Sequence, residues 1–195
     1  LRDLNKTNPD VVEVRRASDD TTRGFTADDI GDGTLTNWVG TGATDHGYVA
    51  TWYDQSGNGN NATQPVSTSQ PKIVVNGDLW EDGIKFDGVN DYLYNATLTT
   101  SNAADTVAIV GTINANGGAF IDSHNGGNAN PRYIGYTAGD AEFAAYYSNT
   151  TDYTYGAYNS NQNLHFIVKS QYGSLNGVTD ALNSGSATLN GIRIG

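Results

Sequence analysis

The chain has 195 residues, no cysteine, and 21 acidic against 10 basic side chains, which leaves a net charge of −11. A surface that negative repels nucleic acid phosphates and anionic bilayers, so neither nucleic acid nor membrane insertion is expected. Disulfides and thiolate metal sites are excluded, and no apolar run approaches the ~18 residues that a membrane-spanning helix needs.

In chain order, short runs of β-branched and aromatic residues alternate with clusters of Gly, Asn, Asp and Ser. The first run covers 11–15. Residues 25–38 hold the best helical pattern, with Thr26 placed to cap it and Asp28 and Asp29 suited to its first turn. One short helix is expected near 26–38. The run 48–53 then stops at Asp54-Gln55-Ser56-Gly57-Asn58-Gly59, a turn in which Gly and Asn tolerate positive φ. Further runs follow at 72–75, 84–86 and 92–94.

The second half opens with 106–113, a nearly unbroken apolar run expected to be buried on both sides. Runs at 118–121, 133–136, 142–147, 163–169 and 191–194 come after it. The last of these has nothing after it to pair with. Because an open sheet edge needs covering, one or two further strands are expected beyond Gly195. A chain without methionine or a leader pattern is also expected to be part of a longer protein. About ten strands with no repeat and no linker predict an all-β class: an antiparallel two-sheet β-sandwich of the jelly-roll type, as a single domain over 1–195.

The chemistry-bearing groups are few. Asp54, Ser56 and Asn58 alternate ahead of Gly59, as in the first half of a calcium loop, but the twelfth position of such a loop is Pro65 rather than a bidentate glutamate. The turn is therefore either half of a cation site completed by Asp87 or Asp91, or a tight turn bonding its own amides. Asp87 and Asp91 flank Gly88-Val89-Asn90 and admit the same two readings, or a sugar contact. The expected metal residues are thus Asp54, Asn58, Asp87 and Asp91, and calcium is the one cofactor considered. His46, His124 and His165 lack zinc-site spacing, and there is no nucleophile elbow or phosphate loop. Tyr146, Tyr147, Tyr153, Tyr155 and Tyr158 crowd together with Asn149. Flat apolar faces beside amide groups suit a glycan, and these six residues are the expected glycan-binding set. The same tyrosines could equally fill the pleats of a half-exposed sheet.

Two stretches carry a family likeness. Residues 12–20 (VEVRRASDD) and 52–60 (WYDQSGNGN) resemble the start of the α-L-arabinofuranosidase B catalytic domain. The resemblance implies a concanavalin A-like β-sandwich and removal of arabinofuranose from plant polysaccharides with retention. Residues 83–93 (GIKFDGVNDYL) and 174–178 (SLNGV) are similar to motifs of laminin-G-like jelly rolls, and similar segments recur in bacterial surface and phage structural proteins. In the arabinofuranosidases the nucleophile is a glutamate that follows a Cys-Cys pair. Here residues 120–130 have no cysteine, and Asn or Gly stands where that glutamate would fall. A retaining mechanism needs two carboxyl groups about 5 Å apart, and only Asp122, Asp140 and Glu142 are available nearby. No catalytic residue is assigned. The sequence therefore predicts a non-catalytic carbohydrate-binding or adhesion module, extracellular and displayed on a cell surface or virion. Its partner would be a glycan or cell-surface polysaccharide, with other structural subunits possible. The alternatives are a glycoside hydrolase related to the arabinofuranosidases and a purely structural capsid or filament domain.

Overall fold

The structure is a computed structural model whose described residues are 3–4, 7, 9–80, 83–100, 106–112, 118–122, 133–137, 142–146, 152–157, 163–169, 172–175, 178–181 and 189–194, and the strand pairs detailed below are antiparallel. The chain forms two units, Leu1–Asn95 and Ala96–Gly195.

In the first unit β1 (Asp10–Arg16) pairs with β2 (Thr22–Thr26) on one side and β3 (Gly47–Trp52) on the other. Register shifts in β1 turn its residues out of strict alternation, so Val11, Val12 and Val14 are all buried. The free side of β3 is shared. Its start pairs with β5 (Lys72–Val75), and its end with the short β4 (Ala62–Thr63), which in turn meets the beginning of β7 (Leu93–Thr100). Phe25, Leu35, Val49, Ile73, Val74 and Leu93 complete the core of this unit. Its centre has no spare volume: a Cβ on Gly47 would stand 3.0 Å from the side chains of Val14 and Val39 and 3.3 Å from that of Val74.

The single helix expected near 26–38 is two, α1 (Ala27–Gly31) and α2 (Thr34–Val39). Thr26 caps α1 as expected. Its hydroxyl accepts from the Asp29 N–H at 3.1 Å, and the Asp29 carboxylate accepts from the Thr26 N–H at 2.9 Å. The break follows from Gly33, whose φ of +86° no continuing helix adopts, and from Asp32, which accepts from the Thr34 N–H at 2.9 Å. α2 then turns Leu35 and Val39, one helical turn apart, into the core.

A strand absent from the sequence reading, β6 (Asp78–Leu79), forms a hairpin with β5. Asn76 and Gly77, with φ of +55° and +85°, make the two-residue turn whose twist suits a hairpin. The expected strand at 84–86 reduces to a single bridge between Lys85 and Lys72.

The second unit contains two antiparallel sheets. One runs β12 (Asp152–Ala157), β11 (Glu142–Tyr146), β10 (Tyr133–Thr137), β9 (Gly118–Asp122), β16 (Leu189–Ile194). The other runs β15 (Val178–Ala181), β14 (Tyr172–Leu175), β13 (Asn163–Lys169), β8 (Thr106–Thr112). One expectation is corrected here. β8 is not buried on both faces, because Val110 is 73% exposed; among the described residues the strand is terminal in its sheet and pairs with β13. The final run, β16, pairs with β9 through Arg193–Asp122 and Ile194–Ile121.

Candidate functional site

The first unit presents a cleft of about 450 Å³ lined in part by Arg15, Tyr48, Gln70, Lys72, Asp87 and Asp91. Part of its lining is a cross-strand row. Register sets Arg15 of β1 opposite Tyr48 of β3, and Tyr48 opposite Lys72 of β5. Directly opposed side chains on one sheet face lie within contact of each other. The Arg15 guanidinium sits 4.5 Å from the Tyr48 ring centroid, and the Lys72 ammonium 5.5 Å from it. Both are cation–π contacts.

Arg15 holds the site in shape. Its Nε donates to Gln70 at 2.7 Å, one terminal nitrogen to Asp20 at 2.6 Å, and the other to the Ser67 carbonyl at 3.3 Å. Gln70 donates onward to the Gln64 carbonyl at 2.8 Å, and Gln64 to the Tyr92 carbonyl at 3.0 Å. Both glutamines are buried, and each bonded amide avoids the cost of a stranded polar group. This chain of bonds ties the sheet to the segment Asp87–Asp91.

That segment is a self-capped turn. One oxygen of Asp87 accepts from the Val89, Asn90 and Asp91 amides at 2.8, 3.0 and 3.1 Å. Asp91 accepts from the Asp87 N–H at 3.0 Å. Burial pushes the Asp87 carboxyl up, but the three amides together hold it below its ordinary value. Asp91 moves the other way. Burial and then the Asp87 charge raise it to about 6, against the smaller opposing effects of the Asp87 amide and Lys72.

A carboxyl raised in the folded state binds its proton more tightly there than in the unfolded chain. Its stabilising contribution is complete below pH 3.8 and is lost as pH rises through about 6. Two pH units correspond to roughly 3 kcal/mol, and partial exposure discounts this to about 1 kcal/mol. Asp91→Asn should therefore stabilise the chain at pH 7.5 by about 1 kcal/mol and leave it unchanged near pH 4. Thermal melts at the two pH values check this, and an equal shift at both would refute it.

The Asp54 turn is closed on itself. Asp54 accepts from the Ser56 N–H and hydroxyl at 2.7 Å each and from the Asn60 N–H at 3.0 Å. Its pKa is lowered, chiefly by the Ser56 hydroxyl. Asn58 is exposed and donates its side-chain amide to Ser56. No group of three or more acidic or histidine side chains among the described residues could hold a metal ion, so Asp54 does not join Asp87 and Asp91 in such a group.

Of the expected glycan residues, Tyr147, Asn149 and Tyr158 lie outside the described residues, as do His124 and Asp140. Tyr146 in β11 pairs with Tyr133 and Asp152, while Tyr153 in β12 pairs with Ala145, and Tyr155 lies two residues further along β12. Asp122 of β9 pairs with both Tyr133 and Arg193. His165 lies opposite Val110 in the β8–β13 ladder. His46 accepts the Asn76 N–H at Nδ1, 3.1 Å away, and burial lowers its pKa, helped by Lys72 and opposed by Asp45. The cleft residues Arg15, Tyr48, Gln70 and Lys72 were not singled out from sequence. Strand register, which no motif announces, brings Arg15, Tyr48 and Lys72 together, and the bond from Arg15 holds Gln70 beside them.

The fold is thus all-β and antiparallel, a sandwich with two short helices. No protein-family model and no curated protein matches the chain. Solved structures do share its fold. An arabinofuranosidase complexed with arabinofuranosyl-α-1,2-xylobiose aligns with 96% of this chain and 52% of its own, at a TM-score of 0.60 and 17% identity. A GH54 α-L-arabinofuranosidase soaked with a cyclic sulfate inhibitor aligns over the same shares, at a TM-score of 0.55 and 16% identity. The chain spans about half the length of these enzymes. The likeness shows the fold alone.

Proposed function

We propose that the chain is a non-catalytic carbohydrate-recognition module that binds arabinofuranose-containing glycans. The observation that carries this reading is the likeness over 96% of the chain to an arabinofuranosidase complexed with an arabinofuranosyl oligosaccharide. Tyr146 of β11 and Tyr153 and Tyr155 of β12 are residues of the kind that stack on a sugar, which supports this reading. Display on a cell surface or virion belongs to the same proposal and is supported by the net charge of −11, which favours solubility. Calorimetric titration of the chain with arabinofuranosyl-α-1,2-xylobiose, with and without calcium, tests it. Binding is expected, weakened about tenfold by Tyr146→Ala, as befits one lost stacking contact. Absence of heat under both conditions would sink the reading.

A second reading, hydrolysis, draws on the same neighbours, which are enzymes. It expects arabinose to be released from 4-nitrophenyl α-L-arabinofuranoside, and the release to vanish in Asp122→Asn or Glu142→Gln, as loss of one of two paired carboxyls demands.

A further inference from the structure

We propose that the cleft over the Arg15–Tyr48–Lys72 row is a second binding site, one that takes the vicinal hydroxyls of a neutral sugar between Lys72 and Asp91. It rests on and extends the carbohydrate reading, joining the Asp87–Asp91 turn, which the sequence offered as a cation or sugar contact, to Arg15, Tyr48 and Lys72, which no sequence pattern links to it.

The chemistry of the lining selects the ligand class. Among the described residues the Lys72 ammonium has neither ion pair nor hydrogen-bond partner, so its donors remain available. An ammonium can only donate. Asp91, which lines the same cleft, uses one oxygen on the Asp87 amide and keeps the other as an acceptor. Donor-only and acceptor-only groups share one cavity. A divalent cation there would face Lys72 and Arg15, and an anion would face Asp87 and Asp91. A diol satisfies both sides, because each hydroxyl accepts from one group while donating to another.

The site is also built to stay open in one shape. Arg15 is fixed at all three nitrogens and braces Gln70 and Ser67, and the Asn90 side chain bonds the Thr68 carbonyl at 3.4 Å. The Tyr92 N–H bonds the Ser69 carbonyl at 3.1 Å, so the aspartate turn is docked on the same segment that Arg15 holds. A volume of about 450 Å³ falls within the range of small-ligand sites, roughly 300–1,000 Å³. The cleft is preorganised, which lowers the ordering cost of binding.

The test follows amide shifts in the 15N-labelled 195-residue chain during titration with L-arabinose and, separately, with calcium and inorganic phosphate. L-Arabinose is expected to shift the amides of Tyr48, Lys72 and Asp91. Lys72→Met and Asp91→Asn, which keep the stem and the turn bond respectively, should each weaken that binding about tenfold, as one lost charge-assisted bond does. Unperturbed spectra outside the cleft show that each variant is folded. Arabinose shifts confined to the second unit would overturn this site and leave the proposed function standing. Shifts in the cleft that survive Tyr146→Ala would support the site whatever becomes of the tyrosine strands. A cleft that responds only to calcium or phosphate, or that keeps its affinity in both variants, overturns the inference.

Discussion

Phe25→Ala is expected to lower the free energy of unfolding by about 4 kcal/mol, the range for emptying a buried aromatic position. Phe25 is fully buried on β2, pairs across the ladder with Val12, and packs edge-on against Trp38 at a centroid separation of 5.2 Å. Alanine removes the ring contact with α2 together with the transfer energy. The collapse that could refill the space is limited by strands pinned on one side and by a helix held to six residues on the other. Urea denaturation gives the value directly. A fall in midpoint at constant slope is expected, and a loss under 1 kcal/mol would show that the site collapses freely.

The second large effect is expected from Gly77→Ala, at about 3 kcal/mol, the sum of a strained backbone and a rigid clash. Gly77 sits at φ +85°, and a Cβ there would stand 2.4 Å from the Thr41 carbonyl carbon and 2.6 Å from its oxygen. Backbone atoms cannot rotate away as a side chain could. The Gly77 N–H also bonds the Asp45 carbonyl at 2.9 Å, so relieving the clash would cost this anchor. Gly57→Ala is the control. Its φ of +83° is nearly the same, yet a Cβ there meets nothing within 4 Å. Only the conformational cost, about 1 kcal/mol, applies. Equal losses in the two variants would show that the packing of the hairpin against residues 41–45 contributes nothing.

Much of the architecture is legible along the chain because it depends on local chemistry. Thr26 three residues before Asp29 marks a helix start, and both side chains bond as that spacing requires. The alternation of apolar runs with Gly and Asn turns marks an all-β chain. The Asn76-Gly77 hairpin is equally legible in principle, since that dipeptide is the strongest short signal for a two-residue turn, although the strands it joins are short. Other misreadings concern what one strand does to another. The apolar stretch at 106–112 looks doubly buried, but whether Val110 is covered depends on what lies beside and above β8, which no local pattern encodes.

The candidate sites divide in the same way. Asp54-Gln55-Ser56-Gly57-Asn58 supplies its own partners within a few residues, so a turn could be foreseen as one of two readings, and the Asp54 oxygens bond Ser56 and Asn60. Asp87 and Asp91 were legible as a pair for the same reason. What the sequence by itself determined is short-range: an all-β chain of short strands and the capped helix start, with the self-bonded aspartate turns as one of two readings. All follow from bonds and φ preferences within about five residues. Only the tertiary structure decided that Arg15, Tyr48 and Lys72, drawn from three strands, stand in one row and line one cleft with Asp87 and Asp91. Cross-strand register is set by the whole buried face of a sheet, and that face exists only once the sheet has assembled.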